Sequence, residues 1–176
     1  MTDRPVLVWD ASALHHPAIA DRIDVLAHLA APWRNVTTAA VLEELGQHAL
    51  RETVLSTGWL GEHRLDTLDG LPLLVDWTQR LAAGRHHRGE VTVAVASELL
   101  GGTALLDDRD ARTVLRTHGV EAHGTVWLAA EAVRSGREQS AAALDGFFGA
   151  LLSAGARLPF ATGTEWSRWA QGQGLL

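Results

Sequence analysis

The sequence predicts an α/β domain with a mainly parallel central sheet, and three observations carry that expectation. Short β-rich runs alternate with helical stretches along the chain. The run TALLDD (residues 103–108) is apolar without interruption until its aspartates, as a strand covered on both faces is. Acidic residues follow the ends of two such strands, where the ligand crevice of an open parallel sheet lies.

Taken in order, PVLVW (5–9) is a strand that ends at Asp10, and ASALHHPAIADRIDVLAHLA (11–30) turns helical, with Ile19, Ile23, Leu26 and Leu29 at spacings of three and four. NVTT (35–38) is a short strand feeding the helix AAVLEELGQHAL. Residues 50–70 mix Gly, Thr, Asp and His without a period and read mostly as loop. LLVDWTQRLAAG (73–84) is helical, with Gly84 as its stop. GEVTVAVASELLGG (89–102) carries β-branched residues, but its length between glycines favours a buried helix. A helix (109–119), a strand in VEAHGT (120–125) and helices in VWLAAEAVRSG and AAALDGFFGALLSAG follow. The tail from Ala161 reads as irregular or loosely docked.

Composition removes several function classes. All 15 basic residues are arginines, so a Walker A phosphate loop and a Schiff-base enzyme, which need a lysine amine, are excluded. The absence of cysteine excludes thiolate catalysis, disulfides and zinc knuckles. A net charge of −6 gives no global basic field. No apolar run reaches the roughly 18 residues of a membrane span, and no signal-peptide core follows Met1, so the expected location is cytoplasmic.

The chemistry concentrates in acids. Asp10 ends the first strand, Glu43 and Glu44 lie on the VLEEL helix, Glu90 opens the helix after Gly89, and Asp107 and Asp108 end the TALL strand. Carboxylates without cysteine or an HExxH helix suit a hard cation, Mg²⁺ or Mn²⁺, in metal-assisted phosphodiester hydrolysis. Each acid also has a plain structural use. Asp10, Glu90, Asp107, Asp108 and Asp110 sit where they would cap a helix or complement its dipole. Glu43 and Glu44 suit a solvated helix face.

The motifs, in order, resemble a known family. VLVWDASAL, TAAVLEEL, GEVTVAVASELLGGTALLDDRDAR and VEAHGTVWLAAEAVRSG are similar to the successive motifs of PIN domains, in the branch of the VapC toxins, and LLSAGARLP resembles that family's ending. The similarity implies a three-layer PIN-like nuclease domain over residues 1–160, followed by the tail 161–176. It implies a metal-dependent endoribonuclease that cleaves through activated water, a homodimer, and a small antitoxin partner. By position, Asp10, Glu44, Glu90 and Asp108 are the catalytic acids, Asp10, Glu90, Asp107 and Asp108 the metal ligands, and Ser12 the hydroxyl beside the first aspartate. Leu106 departs from the family, standing where a threonine or serine is usual, and residues 51–71 match it poorly.

The loop RLAAGRHHRGE sets Arg80, Arg85, His86, His87 and Arg88 before Glu90. Arg85 and Arg88 are the candidates for holding RNA phosphates. Arg109 and Arg112 are expected to pair with Asp107, Asp108 or Asp110. His15 and His16 lie near the Asp10 turn, within reach of a substrate. Trp9, Trp33 and Trp127 read as core; Trp59, Trp166 and Trp169 are freer to stack on bases. A second reading from another class is a degenerate PIN-like domain that binds RNA or a protein without cleaving.

Overall fold

The computed structural model describes residues 4–82 and 88–176. Five strands form one parallel sheet: β1 (Val6–Trp9), β2 (Arg34–Thr38), β3 (Gly61–His63), β4 (Thr103–Leu105) and β5 (Ala122–His123), in the order β3-β2-β1-β4-β5. The register pairs Val8 with Val36 on one side, and Leu7 with Thr103 and Trp9 with Leu105 on the other. The chain leaves β1 toward β2 on one flank and returns to build β4 and β5 on the other. The ends of β1 and β4 therefore form the topological switch point, where the crevice of such sheets opens.

Helix α6 (Arg88–Leu100) packs across β1, β2 and β4 on one face, with α5 (Gly70–Ala82) against it and α7 (Arg109–Thr117) against α5. The fully buried run Val93, Ala94, Val95 and Ala96 explains why α6 carries no polar stripe: sheet and helices enclose it. Helices α1 (Ala11–Ile19), α2 (Ile23–Leu29), α8 (Thr125–Arg134) and α9 (Asp145–Ser153) adjoin one another, and right-handed crossovers place α1 and α2 on the opposite face. This is a three-layer α/β fold. Its remaining helices are α3 (Ala39–Gln47), α4 (Arg51–Leu55) and α10 (Trp166–Gly172).

Three expectations are corrected and a fourth is refined. The stretch 50–70 is mostly loop, as expected, but it also holds α4 and the edge strand β3, whose residues Gly61, Glu62 and His63 pair with β2 and show no apolar alternation. The single helix over 11–30 is two, separated at Asp21, which adopts a φ of 54° that aspartate tolerates better than most residues; Ile19 points to solvent. The tail is not irregular: it forms a 3₁₀ turn (Gly163–Glu165) with a Thr162–Glu165 capping box, then α10. Trp166, read as free, is fully buried against Phe148, and its indole N–H donates to Ala141 O at 3.0 Å. Gly84, Arg85, His86 and His87 lie outside the described residues.

Candidate functional site

Beyond the ends of β1 and β4 lies a cleft of about 590 Å³ lined by Asp10, Glu44, Glu90, Asp107 and Asp108, with Ser12, His15, His16, His48 and Arg157 among its other walls. Five acids from four separate stretches of chain share this one hollow.

Asp10 is 3% exposed. Its backbone N–H joins the sheet end by donating to Leu105 O at 2.9 Å, and its extended conformation caps α1. Oδ2 accepts from Ser12 N–H (3.0 Å) and from the Ser12 hydroxyl (2.6 Å), while Ser12 Oγ accepts from Asp107 N–H at 3.0 Å. Ser12 thus ties β4's end to the carboxylate of β1's end. Burial pushes the Asp10 carboxyl above the ordinary range, and the Ser12 bonds work against that rise.

Gly89, in the first turn of α6, explains how the acids meet. A methyl group there would stand 3.0 Å from Glu44 Oε2, 3.4 Å from Val41 Cγ2 and 3.5 Å from Asp10 Oδ1. Carboxylates from α3 and from the end of β1 therefore face one spot that glycine leaves open and a methyl group would crowd. Glu90 follows immediately, 7% exposed, in the helix turn whose N–H groups favour negative charge. Thr38, which caps α3, hydrogen bonds Thr92 of α6 at 2.7 Å, and Thr92 donates to Gly89 O at 2.8 Å, holding the two acid-bearing helices together.

The neighbours Asp107 and Asp108 are used differently. Asp107 Oδ1 accepts from Thr125 N–H (2.7 Å) and Oδ2 from the Thr125 hydroxyl (2.9 Å), so this carboxylate braces the start of α8. Burial raises its pKa; the Thr125 bonds, Arg112 and His16 oppose the rise. Gly124 makes the brace fit, since a Cβ there would lie 2.7 Å from Asp107 Oδ1. Asp108 Oδ1 accepts from Ala111 N–H at 2.7 Å and caps α7, while the residue also lines the cleft. Capping and lining the cleft are thus compatible roles for Asp10 and Asp108, because a cap engages one oxygen of the two.

The remaining predicted positions diverge. Glu43 is exposed, with Arg88 Nη1 at 3.9 Å from its Oε2, and Arg88 lines a neighbouring hollow of about 780 Å³, not the acidic cleft. Among the described residues neither Arg109 nor Arg112 comes within salt-bridge distance of the aspartates; Arg112 acts on Asp107 and Asp108 from farther off, and its Nη1 donates to Leu106 O at 2.7 Å. Leu106, at the family's usual hydroxyl position, is fully buried. Unforeseen contributors are Gly89, His48, Thr125 and Arg157. The motif GT at 124–125 was the available signal for Thr125, whereas His48 and Arg157 arrive through packing alone.

The donor set, oxygen throughout with a desolvated Asp10, fits Mg²⁺ or Mn²⁺ in kind. Among the described residues no three acidic or histidine side chains are already gathered into one coordination shell. No helix there is long and apolar enough to cross a membrane. No curated protein matches the chain. A family model described as PIN domain matches residues 6–163, a span that holds every acid of the cleft. The chain belongs to the PIN domain family, a family of nuclease-type fold.

Proposed function

We propose that the acidic cleft hydrolyses RNA phosphodiester bonds as a Mg²⁺- or Mn²⁺-dependent endoribonuclease. The observation that carries this reading is the convergence of Asp10, Glu44, Glu90 and Asp108 in one cleft at the switch point of the sheet. These four would hold the cation, which when bound supplies a water of lowered pKa and neutralises charge at the scissile phosphate. Ser12 fixes Asp10 by two bonds to Oδ2, so the carboxylate is oriented before any ligand arrives. Asp107 serves as a brace between β4 and α8 and keeps the neighbouring Asp108 in place.

The resemblance to the VapC branch supports two further parts of the reading, a homodimer and control by a small antitoxin encoded nearby. Leu71 and Val75, one turn apart on α5, are exposed and give a second copy apolar surface to cover. The alternative, binding without cleavage, draws on buried Leu106 and on the ungathered acids.

The test is incubation of purified protein and Asp10→Asn with single-stranded RNA and Mn²⁺, alongside calorimetric titration with Mn²⁺. Cleavage and a metal site that both vanish in the variant, at unchanged circular dichroism, support the nuclease. Equal cleavage by both proteins ends the assignment, and no Asp10-dependent metal site selects the binding-only reading.

A further inference from the structure

Beside the acidic cleft lies a second hollow of about 750 Å³, walled by α7, the start of α8, the 157–159 loop and α10. Asp107, Arg157 and Leu158 line both hollows, so the two adjoin across a shared wall. On the α7 wall Arg109, Arg112 and Arg116 recur at spacings of three and four, which puts them on one helical face. Arg157 adds a fourth guanidinium. In a chain of net charge −6 this is a local reversal of sign.

These cations are not closely paired, although Asp107 and Asp108 act on Arg112 from beyond contact distance. Among the described residues none of the four lies within salt-bridge distance of a carboxylate. Carbonyls steady two of them, Leu106 O for Arg112 and Ala122 O for Arg116, each at 2.7 Å, and a carbonyl orients a guanidinium without removing its charge or its other donors. Arg109 and Arg157 are exposed. The same hollow has aromatic walls. The His123 imidazole stacks on Trp127 (4.1 Å between centroids, 10° between planes), and Trp169 of α10 lines the hollow from beyond the span matched by the PIN model.

We propose that this hollow seats a single-stranded RNA flank running out of the acidic cleft, with Arg109, Arg112, Arg116 and Arg157 on its phosphates and Trp127 and Trp169 against its unpaired bases. The proposal rests on the reading of the cleft as a ribonuclease site. Fixed guanidiniums suit successive phosphates, and ring faces suit bases that a duplex would keep stacked inside itself. Because α10 lies past the matched span, the tail is what gives this PIN domain its outer wall.

The experiment is fluorescence anisotropy of a short labelled oligouridylate with EDTA present, so that cleavage plays no part. Arg109→Ala, Arg116→Ala and Arg157→Ala are each expected to weaken binding several-fold and to reduce the slope of log affinity against log salt by about 1. Trp169→Leu is expected to weaken it about fivefold or more, with circular dichroism unchanged. A hairpin duplex should bind less well than the single strand, and poly-aspartate should not displace it. Wild-type affinity and salt slope in all three arginine variants would overturn the proposal, as would displacement by poly-aspartate at equal charge, which would mark a docking site for an acidic protein segment. Arginine-dependent binding by a protein that never cleaves sinks the nuclease reading alone; Asp10-dependent cleavage with arginine variants that bind as wild type sinks the groove alone.

Discussion

The acidic cleft and the arginine hollow share a wall yet are built in opposite ways. The acids come from four separate elements, β1's end, α3, α6 and β4's end, and meet only because the sheet order sets β1 beside β4 and Gly89 lets α6 approach α3. Three of the four arginines come from one helix and need nothing beyond its periodicity to share a face. Asp10 and Glu90 are buried and Glu44, Asp107 and Asp108 half-buried, with Asp10, Asp107 and Asp108 fixed by hydroxyls and backbone N–H groups. The arginines are part-exposed and steadied by carbonyls. A buried, braced set suits chemistry at one point; an exposed row suits tracking along a polymer. The difference separates what each region should do when perturbed.

The largest effect should come from Asp10→Asn. It keeps the shape of the α1 cap while removing the charge, so cleavage should fall about a hundredfold or more while oligouridylate binding in EDTA stays at the wild-type level. A parallel fall in EDTA binding would show that cleft and hollow are not separable.

Next in size is Gly89→Ala. The added methyl would stand 3.0 Å from Glu44 Oε2, the far end of a flexible side chain that can yield. Helix propensity favours alanine over glycine, so stability should hold or rise slightly. The displaced Glu44 should nevertheless lower cleavage by about tenfold to a hundredfold. Thermal unfolding and cleavage rate measured on the same preparation give the check, and a stable variant with full activity would remove Glu44 from the working set.

What was legible in the sequence follows the same division. A strand that ends in an acid writes a continuous apolar run, so Asp10 and Asp108 were readable, as was α6 from its length. Their meeting was readable only through motif order, since no local pattern records that α3 and α6 face each other. β3 was missed because an edge strand of Gly61, Glu62 and His63 is exposed and needs no apolar face. Trp166 was misread because one buried indole among polar neighbours leaves no periodic trace; its burial depends on Phe148, far away in the chain. Arg109 and Arg112 of α7 were expected to pair with Asp107, Asp108 or Asp110. The helix instead turns Asp108 back onto its own first N–H groups and carries Arg112 and Arg116 round to the carbonyls of Leu106 and Ala122.

A smaller effect is expected at the wall shared by cleft and hollow. Thr125→Val keeps the side-chain shape and the backbone bond to Asp107 but deletes the hydroxyl that Oδ2 accepts. A half-buried carboxylate that loses one of its partners should cost about 1 kcal/mol, read as a lower urea midpoint at unchanged m-value. Cleavage should fall only a few-fold, because Asp108 and Asp10 keep their own bonds. A drop as deep as that of Asp10→Asn would instead make Asp107 a direct participant.

The smallest effect separates the two regions by pH. Burial lowers the His123 pKa below its ordinary value of about 6.5; the bond to Glu121 opposes this, and Arg116 and Arg112 reinforce it. A histidine whose folded pKa is depressed contributes stability that is complete above the unfolded value and is lost as pH falls through the folded one. Acidification from about pH 7.5 to 5 should therefore destabilise the protein through His123, by no more than about 2 °C in Tm. His123→Phe, which keeps a ring on Trp127 but cannot titrate, should show a flatter Tm profile over that window. Oligouridylate affinity should run the other way: a proton gained by His123 adds positive charge to the hollow, so wild-type binding should strengthen toward pH 5 more than binding by His123→Phe. Identical Tm and affinity profiles in the two proteins would mean that the imidazole on Trp127 does not change charge within this window.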